Sequence, residues 1–248
     1  MNKKLIFLAC AFLFFGKCLG QGLLQTDRPD QTEGVFIVGK KIFQVETGIL
    51  VAQNRGGQSN YLFPTTLLKY GLSENFELQS VVDLVQENGA YGLSPVSLGF
   101  KANLLKEKGA RPEIAVIGRV QVKNLSTREF TSPKSLPMFR IAFHNTLSNV
   151  VVLGYNVGMQ WNEFEKPSYI LSASSNFHLS KELVLYAELF NSTRENSLIN
   201  PIADIGAMYA IQNRFILDAS IGKYLNPNQE ENLYLTVGFT TRFGYKEK

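Results

Sequence analysis

From Lys41 to Phe243 apolar and polar residues alternate with a period of two, in one run after another. That alternation marks β-strands with one face against an apolar medium and the other against a polar one. Twelve runs of about nine to thirteen residues are legible. They cover 41–53, 60–72, 76–86, 93–104, 112–123, 137–148, 150–162, 168–179, 182–192, 201–211, 214–224 and 232–243. No comparable stretch carries an apolar stripe of period 3.6, so the expected fold class is all-β and antiparallel. The connections alternate in length. They are tight at 73–75, 149, 180–181 and 212–213, with 105–111 the longer exception on that side. They are longer and mostly polar at 54–59, 87–92, 124–136, 163–167, 193–200 and 225–231.

The two faces differ sharply. One carries Phe43, Val45, Ile49 and Val51 in the first run, Phe139, Ile141 and Phe143 in the sixth, and Leu233, Leu235, Val237 and Phe239 in the last. No charge falls at the middle of this face in any run. The other face carries Glu46, Lys69, Glu77, Asp83, Lys101, Arg119, Arg140, Glu188, Asp204, Asp218 and Arg242. It also collects amides (Gln44, Gln79, Gln121, Asn156, Gln160, Asn176) and glycines (Gly48, Gly71, Gly99, Gly154, Gly158, Gly206, Gly222, Gly238). A soluble sandwich would also own one apolar face. Three features favour a membrane barrel instead. The runs are long enough for a tilted crossing, which takes about 9–11 residues. The polar face is rich in glycine and amides, which suits a crowded lumen. Aromatics gather at strand ends: Phe43, Tyr70, Phe76, Phe177, Tyr209, Phe215 and Phe243 at the short-turn end, Trp161 and Tyr169 at the other. These read as two interfacial girdles. Strict alternation puts Tyr61 and Tyr224 on the polar face. The even strand count places both barrel termini on the short-turn, periplasmic side.

Composition refines this picture. Residues 1–20 read as a secretory signal: Lys3 and Lys4, an apolar run from Leu5 to Phe15, then Cys18-Leu19-Gly20 before a cut at Gln21. Lys17 argues against a lipid on Cys18. Both cysteines, Cys10 and Cys18, lie in that signal, so the mature chain is expected to hold no disulfide and no thiolate site. Removing Lys3, Lys4 and Lys17 from the 25 basic residues leaves 22 against 21 acidic ones. That balance argues against a nucleic-acid partner. The expected layout is a signal at 1–20, a periplasmic N-terminal segment at 21–40, and a barrel at 41–248.

Several segments carry a resemblance. Thr26-Asp27-Arg28-Pro29-Asp30-Gln31-Thr32-Glu33, followed by Phe43-Gln44-Val45-Glu46-Thr47-Gly48, resembles the opening of the outer-membrane "transporter" family named for the MetA pathway of phenol degradation. Leu67-Leu68-Lys69-Tyr70-Gly71-Leu72-Ser73-Glu74-Asn75-Phe76-Glu77-Leu78 is similar to its second hairpin. Ser97-Leu98-Gly99-Phe100-Lys101, Tyr186-Ala187-Glu188, Asp204-Ile205-Gly206 and Gly238-Phe239-Thr240-Thr241-Arg242-Phe243 resemble further family segments. The resemblance spans Thr26 to Phe243. It implies an outer-membrane barrel of a Gram-negative bacterium and a transport role for small, often aromatic or hydrophobic, compounds. One departure is the tail Gly244-Tyr245-Lys246-Glu247-Lys248 after the terminal aromatic that the barrel-assembly machinery reads.

Candidate chemistry is sparse. The inward charges number six acidic and five basic, which fits a ladder of ion pairs filling a narrow lumen, or a polar solute path. Asp27, Arg28, Asp30 and Glu33 could form a plug whose charges pair with lumen residues of opposite sign. His144 and His178 face inward with Ser172, Ser174 and Asn156, but no nucleophile–base spacing is legible and two histidines make no metal site. Asn191-Ser192-Thr193 matches a glycosylation acceptor by chance. No cofactor-binding motif is present. Three functions are compatible: passage or binding of a small solute, a non-conducting or surface-binding barrel working through the long loop 124–136, and, remotely, a membrane-embedded hydrolase. The expected partners are outer-membrane lipid, a small-molecule solute and the barrel-assembly machinery.

Overall fold

The computed structural model describes residues 24–87, 89–162, 167–191, 201–226 and 231–244. The expected signal at 1–20, Tyr245 and the whole loop 193–200 lie outside these residues. Among them are thirteen strands: β1 (Phe43–Asn54), β2 (Ser59–Ser73), β3 (Phe76–Glu87), β4 (Ala90–Leu93), β5 (Ser97–Leu105), β6 (Glu113–Gln121), β7 (Leu136–Thr146), β8 (Val151–Gln160), β9 (Ser168–His178), β10 (Leu183–Asn191), β11 (Pro201–Ile211), β12 (Phe215–Tyr224) and β13 (Glu231–Phe243). Each pairs antiparallel with its neighbours. β13 pairs with β1, so the sheet closes on itself and has no free edge.

The sequence predicts twelve strands, and the barrel has twelve strand positions. β4 and β5 share one, because both lie along β3, at Leu84↔Leu93 and at Val81↔Ser97. Pro95, which has no N–H to give, sits in the break between them. The expected long loop at 87–92 is instead a tight turn, with Glu87 opposite Ala90. The loop after β6 covers the break: Thr127 N–H donates to the Leu93 carbonyl and Val96 N–H to that of Leu125. Gly92 leaves the room that Thr127 fills; a Cβ there would collide with its hydroxyl.

The outer face is apolar. Tyr70, Leu98, Phe139, Leu171, Ile205, Tyr209, Leu235 and Phe239 are all exposed on it. At the short-turn end Phe43 stacks on Phe243 and Phe215 on Phe239. A surface of this kind is stable only against hydrocarbon. One position departs from strict alternation. Between Leu62 and Thr65, β2 bulges at Phe63-Pro64 against both neighbours. The extra residue resets the parity, so Tyr61 pairs with Val51 on the outer face rather than lying on the polar one. Tyr224 pairs with Ile202 on the inner face.

Candidate functional site: the occupied lumen

The inward face holds buried charge. Glu46, Glu77 and Lys101 are fully buried, and Lys69, Glu188, Asp204 and Asp218 nearly so. Charges sealed away from water need partners, and many of them come from residues 24–40. This segment runs inside the barrel and touches almost every strand.

On one side, Asp27 meets Lys69 of β2 and Lys101 of β5, the latter at 2.7 Å. Burial alone would push the Asp27 carboxyl up. The ammonium groups of Lys101 and Lys69 outweigh it and hold the group well below the usual carboxylate range. Glu33 accepts a forked pair of bonds from Arg119 of β6, both 2.6 Å, and faces Arg140 of β7 at 3.5 Å. Burial opposes its ionisation as well, but Arg119, then Arg140 and Lys101, lower its pKa. On the opposite side, Arg28 reaches Asp218 of β12 at 3.1 Å and Thr236 of β13 at 2.8 Å. Its guanidinium lies over Gly48 and Gly238, which face each other across β1 and β13; a Cβ on either would meet it.

The tip of the segment is held by Glu188 of β10. Its carboxylate accepts the Gln31 N–H (2.8 Å), the Thr32 N–H and the Thr32 hydroxyl. The Glu33 N–H donates to Asn156 Oδ1 at 2.8 Å, and Asn156 Nδ2 donates back to the Glu33 carbonyl at 3.0 Å. Arg140 donates to the Gln31 carbonyl at 2.8 Å. The returning limb of the segment packs Val35 against Ala115, Ile117 and Ala142, a small apolar core inside the lumen. Val38 N–H then donates to Glu77 at 2.8 Å.

Asp30 differs from its neighbours. No ion pair reaches it among the described residues. Burial, then the carboxylates of Glu188, Asp27 and Asp204, push its pKa well up. Two further inward charges bond the backbone of the barrel. Asp83 accepts the Thr66 N–H at 3.3 Å, next to the β2 bulge. Arg242 donates from Nε to the Asn213 carbonyl, in the short turn before β12. Neither histidine side chain hydrogen-bonds a serine among the described residues: Ser172 accepts from Thr32, Ser174 accepts from Asn176, and the His144 ring sits edge-on to Phe36 at 4.9 Å. Asn191, from the glycosylation-like triplet, binds the Leu171 backbone N–H at 2.7 Å.

Two buried tyrosines were not singled out in the sequence. Tyr186 and Tyr234 lie 3% and 4% exposed, each over a glycine of the adjacent strand, Gly206 and Gly222. A Cβ on either glycine would enter the ring. The Tyr234 hydroxyl and Ser220 both donate to Asp204 Oδ2. The signal for these pairs was present as inward glycines, but only the register shows which ring each glycine serves. Above the segment, at the long-loop end, a vestibule of about 310 Å³ opens, with Gln31 and Arg140 among the residues around it. Below it, a recess of about 70 Å³ lies between Gln25–Asp27, Phe36–Val38 and Arg242.

The family model described as "Putative MetA-pathway of phenol degradation" matches residues 26–243, nearly the whole chain. The chain belongs to that family. The matched region starts at Thr26, so in this member of the phenol-degradation family it takes in the lumen segment as well as the strands. Solved structures agree on the fold. The COG4313 outer membrane channel from Pseudomonas putida F1 aligns with TM-score 0.63 at 10% identity, over 87% of this chain and 99% of that one. The KdgM porin in complex with disordered oligogalacturonate aligns with TM-score 0.59 at 10% identity, over 81% and 99%. The NanC porin aligns with TM-score 0.55 at 8% identity, over 79% and 98%. No curated protein matches the chain in sequence. A closed twelve-position barrel with this belt, in this family, is a protein of the Gram-negative outer membrane.

Proposed function

We propose that the barrel passes small solutes across the outer membrane and that residues 24–40 act as its plug. The observation that carries this reading is the way the lumen is filled. A vestibule and a recess lie at the two ends, and what stands between them is a single segment held by hydrogen bonds and ion pairs. On this reading the segment, rather than the strand wall, closes the path. Eight-stranded barrels fill with their own side chains and sixteen-stranded ones leave a wide channel; twelve positions leave a lumen that one extended segment can occupy. The inward charges that bond the segment serve as its docking points. By family resemblance the solute is small and aromatic or hydrophobic. The work is passage rather than catalysis, and alanine at both His144 and His178 should leave flux unchanged.

Solute flux into liposomes decides the matter, with full-length protein and with a variant lacking residues 21–40. Flux that rises on deletion is expected. No flux from a correctly folded, deleted barrel overturns the reading. A second reading, a non-conducting barrel, draws on the density of bonds around Glu33 and Glu188, which holds the lumen shut. It requires that the deleted barrel also stay closed.

A further inference from the structure

The charges around the segment are unevenly partnered. Asp27 and Glu33 face four basic side chains. On the other wall Glu188, Asp204 and Asp218 gather, and among the described residues the ion pair formed there is Arg28 with Asp218. Asp204 is 2% exposed, and among the described residues neither its Oδ1 nor the buried hydroxyl of Tyr186 beside it has a hydrogen-bond partner. This wall therefore holds acidic side chains with a single basic partner among the described residues.

Directly above stands a cluster of aromatic rings. Phe190, Tyr224 and Tyr234 all border the vestibule. Tyr234 meets Phe190 at 6.5 Å (61° between planes) and Tyr224 at 6.4 Å (78°). The three rings therefore stand at steep angles to one another along one side of the vestibule. Tyr234 also joins the two layers, since its hydroxyl donates to Asp204. A phenol that donates to a buried carboxylate gains electron density on its ring, which deepens the negative face a cation would meet.

We propose that this corner of the vestibule is a binding site for a small organic cation, an alkyl- or trimethylammonium group, held between the Phe190, Tyr224 and Tyr234 rings. Asp204 reinforces it through the Tyr234 hydroxyl. The cavity, at about 310 Å³, lies at the small end of ligand pockets, so the cation is compact. An ammonium suits this corner better than an anion, because the Tyr234 ring is tied through its hydroxyl to the buried carboxyl of Asp204, while Arg140 borders the vestibule elsewhere. It also suits it better than a bare metal ion, because aromatic faces and a phenol, not converging oxygens, line the space; no metal-binding group of side chains is found among the described residues. The inference rests on the vestibule being open to solute, as proposed above, but not on the barrel conducting.

The test uses the full-length folded protein in detergent micelles. Choline and its uncharged isostere 3,3-dimethyl-1-butanol are titrated by calorimetry. Choline should bind about tenfold more tightly, the scale of a desolvated cation–π contact. Tyr234→Leu should abolish that preference. Should Tyr234→Leu misfold, Tyr234→Phe and Asp204→Asn serve instead: each keeps the packing, removes the hydrogen bond between the phenol and the Asp204 carboxyl, and should reduce the preference several-fold. Equal affinity for the two probes overturns the site. So does a choline preference that survives Tyr234→Phe and Asp204→Asn. Absence of flux in the plug-deleted barrel would overturn the transport reading and leave this titration untouched.

Discussion

Arg28 shows how one side chain decides a local arrangement. Its guanidinium fits only because Gly48 and Gly238 present no Cβ, and it neutralises Asp218, which is otherwise sealed in the wall. Removing one partner of a buried pair leaves an uncompensated charge and costs about 3–5 kcal/mol. Arg28→Met is therefore expected to loosen the segment and increase ion conductance in planar bilayers. Arg28→Met with Asp218→Asn should recover most of the closed behaviour, since no lone charge remains. Conductance as high in the double variant as in the single one would count against the pairing. Asp30 acts in the opposite sense. Its carboxyl has a raised pKa when docked, so the docked state holds a proton that a released segment gives up. From the ordinary carboxylate range upward, rising pH thus weakens docking at this residue. Asp30→Asn should make the closed state more persistent at neutral pH and flatten that part of the pH dependence. Asp27 and Glu33 have lowered pKa values, so their contribution is present above the ordinary carboxylate range and fades as pH falls through those values.

At the scale of the strands, the alternation in the sequence is nearly sufficient, because a charge facing hydrocarbon is too costly to occur at the middle of a strand. The outer face, the inward charges and all twelve strand positions are legible for that reason. Two departures are not. The β2 bulge at Phe63-Pro64 shifts parity by one residue, and apolar Leu62 and Tyr61 look alike to a period-two reading. The β4–β5 break depends on a loop from elsewhere in the chain supplying the missing partners. Cysteine labelling checks the parity. Leu62→Cys should react with a water-soluble maleimide from the vestibule, and Tyr61→Cys should be protected by lipid. The reverse pattern would restore the strict alternation. The lumen segment was legible only as a charged stretch without strand character. Its partners follow from a path through the barrel, which no local pattern encodes. The Tyr186–Gly206 and Tyr234–Gly222 pairs were hidden for a related reason, being set by cross-strand register.

At the scale of the molecule, the lumen has a basic arc on β2, β5, β6 and β7 and an acidic arc on β10, β11 and β12, with the segment laid across them so that its own charges oppose each. Ion pairs this deep are little affected by dissolved salt, whereas exposed pairs are screened within about 3 Å at 1 M. The closed state is thus expected to persist in 1 M salt, measured as solute flux into liposomes. Release by salt alone would place the segment's holding contacts at the surface.

The turn from Gly39 to Ile42 joins the segment to β1, and its backbone is bonded to Gly71 of β2: Lys41 N–H to the Gly71 carbonyl at 2.8 Å and Gly71 N–H to the Ile42 carbonyl at 3.0 Å. A segment that comes free stays tethered within a few residues of the mouth it left. Its return is then a unimolecular event at an effective concentration in the millimolar range or above. Opening should occur as brief, self-terminating episodes whose duration is independent of protein concentration, and a free peptide of the same sequence would be a poor competitor for the vacated lumen.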